Sequence, residues 1–153
     1  MICEKVIKHL HHHELHELSH AGKTIDAVEI DWFERDKKIL RKITASGQEI
    51  GIRLDDKAHS LNEGDVLYED DSKVIVVSIA ASDLILIHIK EIVEMGRCCF
   101  ELGNRHLSLA IHEDKVLCPF DQPTFEYMQH KGFDVEKVHE KFSHYTECKG
   151  HSH

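Results

Sequence analysis

The sequence predicts an α+β protein with a small antiparallel β-domain followed by a βαββαβ domain. Two observations lead to this class. Before residue 78, short runs of alternating apolar and polar residues are separated by turn-forming residues about every 8–12 positions, which is typical of an antiparallel β-domain. From residue 78 onward, apolar runs of strand length alternate with segments in which apolar residues recur at helical spacing. This change of period predicts domains at 1–77 and 78–143.

The strands of the first domain are predicted from period-2 alternation. In the first clear run, Val28, Ile30 and Trp32 alternate with Glu29 and Asp31. Gly residues then mark the tight turns between later runs. Further strands are predicted at 38–44, 50–54, 66–68 and 73–77, with turns at 46–47 and 62–65.

The second domain is predicted to begin with an apolar strand at Leu84–Ile89. A helix follows from Glu91, and Gly103 is predicted as the left-handed residue that ends it. Two strands come next, then a second helix between Pro123 and Gly132 and a final strand. The order βαββαβ is that of a ferredoxin-like domain. Residues 144–153 have no apolar periodicity and are predicted to form a flexible tail.

Composition limits the classes of function. The chain has 28 acidic and 19 basic residues and a formal net charge of −9, so we expect no nucleic-acid partner. No apolar run approaches the roughly 18 residues of a membrane span, and the N-terminus lacks a signal-peptide pattern. We therefore expect a cytoplasmic protein without a membrane partner. The five cysteines are odd in number and form no CxxC pair, which predicts buried thiols rather than disulfides.

Histidine is unusually frequent, with 15 residues in the chain. Imidazole is a common ligand of Zn²⁺, Ni²⁺ and Cu²⁺, so both ends of the chain are enriched in donors for first-row metals. The N-terminal cluster consists of His9, His11, His12, His13, His16 and His20. The C-terminal histidines are His144, His151 and His153.

Part of the N-terminal cluster, His16-Glu17-Leu18-Ser19-His20, matches the HExxH motif of zinc peptidases. Such a site needs a packed helix that holds the ligands rigidly, and Leu10, Leu15 and Leu18 offer little apolar surface to anchor one. We therefore interpret the cluster as a mobile, loosely binding accessory segment. A purification tag and a solvated loop without function are alternative interpretations.

The string Glu101-Leu102-Gly103-Asn104-Arg105-His106 resembles the signature of the UreE family of urease accessory proteins, which act as nickel metallochaperones. The segments Trp32–Arg41 and Gly64–Tyr68 also resemble stretches of the family's first domain. The resemblance extends from about residue 28 to residue 142. It implies a peptide-binding-like β-domain and a ferredoxin-like metal-binding domain in a homodimer. The His-rich insertion at 9–20 departs from the family pattern, in which a long His-rich segment usually lies at the C-terminus.

The resemblance also implies the ligands. The histidine of GNRH, His106, would meet its copy across the dimer axis and share one Ni²⁺ with it. Terminal histidines of the family supply further ligands, a role that carries over to His151 and His153 and, with less support, to His144. Where some members have a second His-x-His pair, this chain has Leu117–Gln122, so no ligand is transferred there.

The function implied is a nickel metallochaperone for urease assembly, not an enzyme. Its expected partners are urease apoprotein and the urease accessory GTPase, and its expected assembly is a homodimer or a dimer of dimers. A general Zn²⁺ or Cu²⁺ buffer is an alternative, because imidazole does not by itself select Ni²⁺. A zinc hydrolase at HELSH and a pure interaction module are two further hypotheses.

Overall fold

In the computed structural model of the protein, which describes residues 1–55 and 60–146, the chain divides into two compact units after Ala80. The division lies just beyond residue 77 because the last strand of the first unit continues to Ile79. The fold class is confirmed: a β-rich unit precedes an α+β unit.

The first unit contains two sheets, with orders β1-β5-β4 and β2-β6-β7-β3. Its strands are β1 (Ile2–Cys3), β2 (Lys8–His9), β3 (Thr24–Ile30), β4 (Ile39–Ile43), β5 (Glu49–Arg53), β6 (Asp65–Glu69) and β7 (Lys73–Ile79). One detail of the prediction was wrong, because each sheet is mixed rather than antiparallel. β1 runs parallel to β5, and β3 runs parallel to β7. In each case the chain forms strands of the other sheet between the two paired strands.

The two sheets enclose the main core of this unit. Ile52 of β5 and Val28, Ile30 and Ile75 of the other sheet belong to one buried cluster. Trp32 packs against this cluster from a short 3₁₀ helix, Trp32–Glu34, and not from a strand. The predicted alternation therefore ends at Ile30.

Residues His12–His20 form a helix, α1, against the other face of the second sheet. Leu15 and Leu18 pack there beside Leu10, so the prediction of a mobile segment was wrong for this part of the chain. The apolar surface that holds the helix comes from distant strands. It is provided by Val66, Val74 and Val76.

The turn before β6 attaches the start of the histidine-rich segment to the unit. Gly64 has φ of +89°, and a Cβ built on it would collide with the backbone carbonyl oxygen of Leu10. The buried Asp65 carboxylate accepts a hydrogen bond from the Asn62 backbone N–H at 2.8 Å and contacts His9 Nδ1 at 2.9 Å. The Gly-Asp pair is therefore needed to let β2 approach β6.

The second unit has the ferredoxin-like topology that the sequence predicts. Its strands pair antiparallel in the order β11-β8-β10-β9. Its elements are β8 (Ala81–His88), α2 (Ile92–Asn104), β9 (Ala110–Ile111), β10 (Lys115–Pro119), α3 (Gln122–His130) and β11 (Asp134–Lys141). Among the described residues, no helix is long and apolar enough to span a membrane.

The cysteines of the second unit belong to its core. Cys98 and Cys118 are fully buried between the helices and the sheet. Desolvation raises the pKa of each of these thiols to about 12, so neither is a thiolate at neutral pH. Since metals bind the thiolate, these residues act as small apolar side chains, as predicted. Cys148 lies outside the described residues.

We predict that Gly64→Ala destabilises the first unit by about 3 kcal/mol, because it adds both backbone strain and a clash with the Leu10 carbonyl. Gly47→Ala is the matched control. Gly47 has a similar φ of +92°, but a Cβ there would meet nothing within 4 Å, so the loss should be about 1 kcal/mol. Urea unfolding followed by fluorescence of Trp32, the single tryptophan, measures both. Equal losses would show that the contact with Leu10 is unimportant.

Candidate metal centre

His106 lies immediately after helix α2, at the position where a helix commonly turns left-handed. Its φ is +58°, and its N–H donates to the Gly103 carbonyl at 3.0 Å. The next N–H, of Leu107, donates back to the Leu102 carbonyl at 3.4 Å. These two bonds define a Schellman motif with His106 at C′. The prediction that Gly103 is the left-handed residue was wrong, because the helix continues through it to Asn104.

The other two α-helices of the described chain end in the same way but with glycine at C′. Helix α1 ends at Gly22, with φ of +86°, and helix α3 ends at Gly132, with φ of +93°. A left-handed backbone costs an L-residue about 1–2 kcal/mol, whereas glycine adopts it freely. Among the described residues, the non-glycine residues with positive φ are His106 and His144. A strained residue that packing maintains is a candidate for function.

Arg105, the neighbour of His106, fastens the end of α2 to α3. Its Nε donates to Thr124 Oγ1 at 2.9 Å, and its guanidinium lies 5.0 Å from the ring centroid of Tyr127. The Tyr127 hydroxyl in turn donates to the Glu101 carboxylate at 2.7 Å. These contacts join both sides of the interhelical junction, so the backbone that carries His106 is held from α3 as well as from its own helix.

The start of the C-terminal tail returns to the same region. Thr146 forms an isolated bridge with Leu109, with N–H to carbonyl distances of 2.6 and 3.0 Å. The buried Phe142 stacks on Tyr145 at 4.6 Å between ring centroids, which fixes the path from β11. Residues 144–146 are therefore attached to the domain, contrary to a fully flexible tail. His144 is exposed there, whereas His151 and His153 lie outside the described residues.

Helix α2 carries an exposed apolar face that leads to His106. Ile92 is 85% exposed, Val93 60% and Phe100 66%, although all three are large apolar residues. Gly96 and Gly103 lie between them on the same side, and a Cβ at either glycine would meet nothing within 4 Å. The buried residues of α2 lie on its opposite side. We call this surface, formed by Ile92, Val93, Gly96, Phe100 and Gly103, the α2 face.

The N-terminal histidines are brought together in pairs rather than in one group. His9 and His11 have ring centroids 5.2 Å apart, and His11 stacks on His13 at 6.0 Å. His16 and His20 are closer, at 4.5 Å. Within residues 1–55 and 60–146, no three His, Cys, Asp or Glu side chains of one chain converge to hold a metal ion, and this includes His106 and His144.

The HExxH motif is helical, but its surroundings differ from those of a peptidase. His16, Glu17 and His20 are all exposed on a surface helix, whereas a catalytic zinc needs three protein ligands and controlled access of water. No third ligand converges on the pair within the described part of the chain. The motif therefore lies on a helix, as in a zinc peptidase, but the described residues do not provide the third ligand of a catalytic zinc site.

Comparison with known proteins decides the family. A family model described as the N-terminal domain of UreE urease accessory protein matches residues 4–80, and the corresponding C-terminal domain model matches residues 82–153. The chain belongs to the UreE family of urease accessory proteins. Urease accessory proteins of this family are not enzymes, and this UreE-family chain is therefore not an enzyme.

Individual relatives agree with the family models. The chain is 41% identical to the urease accessory protein UreE of Flavobacterium johnsoniae over 124 residues, which cover 81% of this chain and 75% of that protein. It is 42% identical to that of Bifidobacterium longum subsp. infantis over 131 residues, or 86% of this chain and 58% of that protein. The protein of Acetivibrio thermocellus is 40% identical over 126 residues, with coverages of 82% and 78%.

Sequence reasoning did not identify the residues that support His106. Arg105 belongs to the Glu101–His106 string that resembles the family signature. Thr124 and Tyr127, which contact Arg105, lie far from it in sequence and belong to no motif. The weak signal was the Asp121-x-x-Thr124 pair at the start of α3, where Asp121 accepts hydrogen bonds from both the backbone and the hydroxyl of Thr124. Such a cap predicts the helix start but not its link to Arg105.

We predict that His106→Gly is more stable than His106→Ala by about 1 kcal/mol, because both lose the imidazole and glycine alone relieves the left-handed strain. The reciprocal change, Gly132→His, should destabilise the same unit by about 1 kcal/mol. Differential scanning calorimetry of the full-length variants measures both. If the glycine and alanine variants had the same melting temperature, the backbone at His106 would not be strained.

Proposed function

We propose that this chain is a nickel metallochaperone that binds Ni²⁺ through His106 of two copies and delivers it during urease assembly. The observation that carries this proposal is the position of His106 within the family signature. It occupies a strained, exposed C′ position that Arg105 braces from α3. A residue with no ligand to bind could be replaced there by glycine with a gain in stability.

The α2 face supports assembly as a homodimer. Large exposed apolar side chains separated by glycines allow a second helix to approach closely, and burial of this surface is favourable. Because the face leads to His106, its pairing in two copies would bring two His106 imidazoles together. The proposed assembly is a homodimer or a dimer of dimers built on it.

Two imidazoles leave a first-row divalent ion with open coordination positions, which suits a carrier. The tail can fill them reversibly. Thr146 is fixed beside Leu109, three positions after His106, and an extended chain advances about 3.5 Å per residue. We propose that His151 and His153, together with His144, contribute ligands to this ion and release it.

The N-terminal histidines are proposed as accessory metal sites. His9 is oriented by the buried Asp65 carboxylate, which contacts its Nδ1 and leaves Nε2 for a metal. Carboxylates fix the imidazoles of known metal sites in this way. The remaining members of this accessory set are His11, His12, His13, His16 and His20.

The partners proposed are urease apoprotein and the urease accessory GTPase, in the cytoplasm. The relatives' names support urease as the destination, since each is a urease accessory protein. The peptide-binding-like first unit is the proposed region of contact with them. A general Zn²⁺ or Cu²⁺ buffer remains the second candidate, because these ions compete for the same imidazoles and Cu²⁺ binds nitrogen donors more tightly than Ni²⁺.

We expect His106→Gly to abolish the tightest Ni²⁺ site, one ion per two chains, while weaker sites remain. Isothermal titration calorimetry measures the sites, and restored urease activity in cells that lack their own copy measures delivery. His88→Ala is the control, because His88 pairs with Glu136 on the sheet. Equal Ni²⁺ binding by both variants would exclude His106 as the ligand. Loss of binding with normal urease activation would favour the buffer.

We expect Phe100→Glu to shift the chain from dimer toward monomer, because it places a charge in the centre of the α2 face. Phe33→Glu is the matched control, since Phe33 is similarly exposed, at 60%, but lies in the first unit. Light scattering across a concentration series measures the mass. Identical behaviour of the two variants would place the dimer contact elsewhere.

A further inference from the structure

Helix α1 carries His12, His16 and His20 at successive four-residue spacings, and of these His16 and His20 are the two whose rings lie in contact. We propose that His16 and His20 together bind a first-row divalent metal ion on the first unit, at a site separate from His106. This proposal specifies which two histidines form one of the accessory metal sites proposed above. Only the use of this site in urease assembly rests on the proposed function. The chemistry of the pair stands without the His106 site.

The spacing and the rings support this pair. Residues four apart lie one above the other on a helix, and histidines at this spacing are an established arrangement for binding one metal ion. The His16 and His20 ring centroids are 4.5 Å apart, with planes tilted by 58°. Both side chains are exposed, so an ion can reach them from solvent.

The helix that carries the pair is ordered before any metal binds. Leu15 and Leu18 pack on the valines of the sheet, and the Glu14 carboxylate accepts the His11 backbone N–H at 2.7 Å at the helix start. At the other end, Gly22 closes a Schellman motif. The ligands are therefore placed in advance, and binding need not order the chain.

Electrostatics favour this end of α1 over the other. His16 and His20 lie in the second half of the helix, where the negative end of the helix dipole attracts a cation. His11 and His13 surround the helix start, where the dipole opposes a cation. Their rings are also parallel and 6.0 Å apart, a less suitable arrangement for sharing one ion.

A site with two protein ligands would exchange its metal. Closed four-ligand sites retain metal, whereas a pair of imidazoles leaves positions for water or for a ligand from another molecule. The described residues add no third ligand to His16 and His20. The pair is thus suited to capture and release rather than to catalysis.

The first test is calorimetric titration of the full-length His106→Gly variant with Ni²⁺, alone and combined with His16→Ala, His20→Ala or His12→Ala. Loss of either member of the pair should weaken one site on the order of 10²-fold, because the second imidazole no longer binds intramolecularly. His12→Ala should leave this site intact. Equal effects of all three changes, or a loss with His12→Ala but not with His20→Ala, would overturn the proposal.

The second test separates helix geometry from histidine content. Glu17→Pro interrupts α1 but keeps every histidine, whereas Glu17→Ala keeps the helix and is the matched control. In the His106→Gly background, Glu17→Pro should weaken the site like His20→Ala, and Glu17→Ala should not. Unchanged Ni²⁺ affinity in Glu17→Pro would show that the site does not depend on α1. Because His106 is absent throughout, these outcomes are independent of whether the proposed dimer site exists.

Discussion

The left-handed turn at the end of α2 is the constraint on which the candidate metal centre depends. The Leu107 N–H returns to Leu102, and both leucines join the core of the second unit. This packing offsets the strain of about 1–2 kcal/mol at His106. Arg105 adds a connection to Thr124, so the turn cannot relax without breaking contacts on two helices. The backbone conformation at His106, from which its side chain extends, is therefore fixed.

The metal carrier proposed above would need incomplete ligand sets, because it must release its ion. An ion held by four thiolates is retained, whereas here Cys98 and Cys118 are fully buried thiols whose pKa desolvation raises to about 12. The exposed imidazoles of the described residues occur singly and in pairs, and no group of three donors converges there. At the sites proposed above, coordination would be completed by water, by further histidines of the chain or by a second copy of it.

The sequence was sufficient for elements whose stabilising contacts repeat along the chain. Alternation located most strands, and the change of period gave the βαββαβ order that the sheet confirms. The sequence was not sufficient for elements that are stabilised by residues far away along the chain. The leucines of α1 were too few to predict a packed helix, because the valines that receive them lie more than 40 positions later. The bridge between Leu109 and Thr146 was hidden for the same reason.

The left-handed position shows a different limit. Glycine is the residue that sequence rules expect at C′, so the left-handed residue was predicted at Gly103 and not at His106. Gly22 and Gly132 follow the rule at the other two helix ends of the described chain. The exception coincides with the proposed ligand, and this is where local rules are expected to fail. At His106 the imidazole is held by a strained turn, whereas at His16 and His20 it is held by regular helix. Both arrangements fix the backbone that carries a nitrogen donor, so binding at either proposed site would not need to order it.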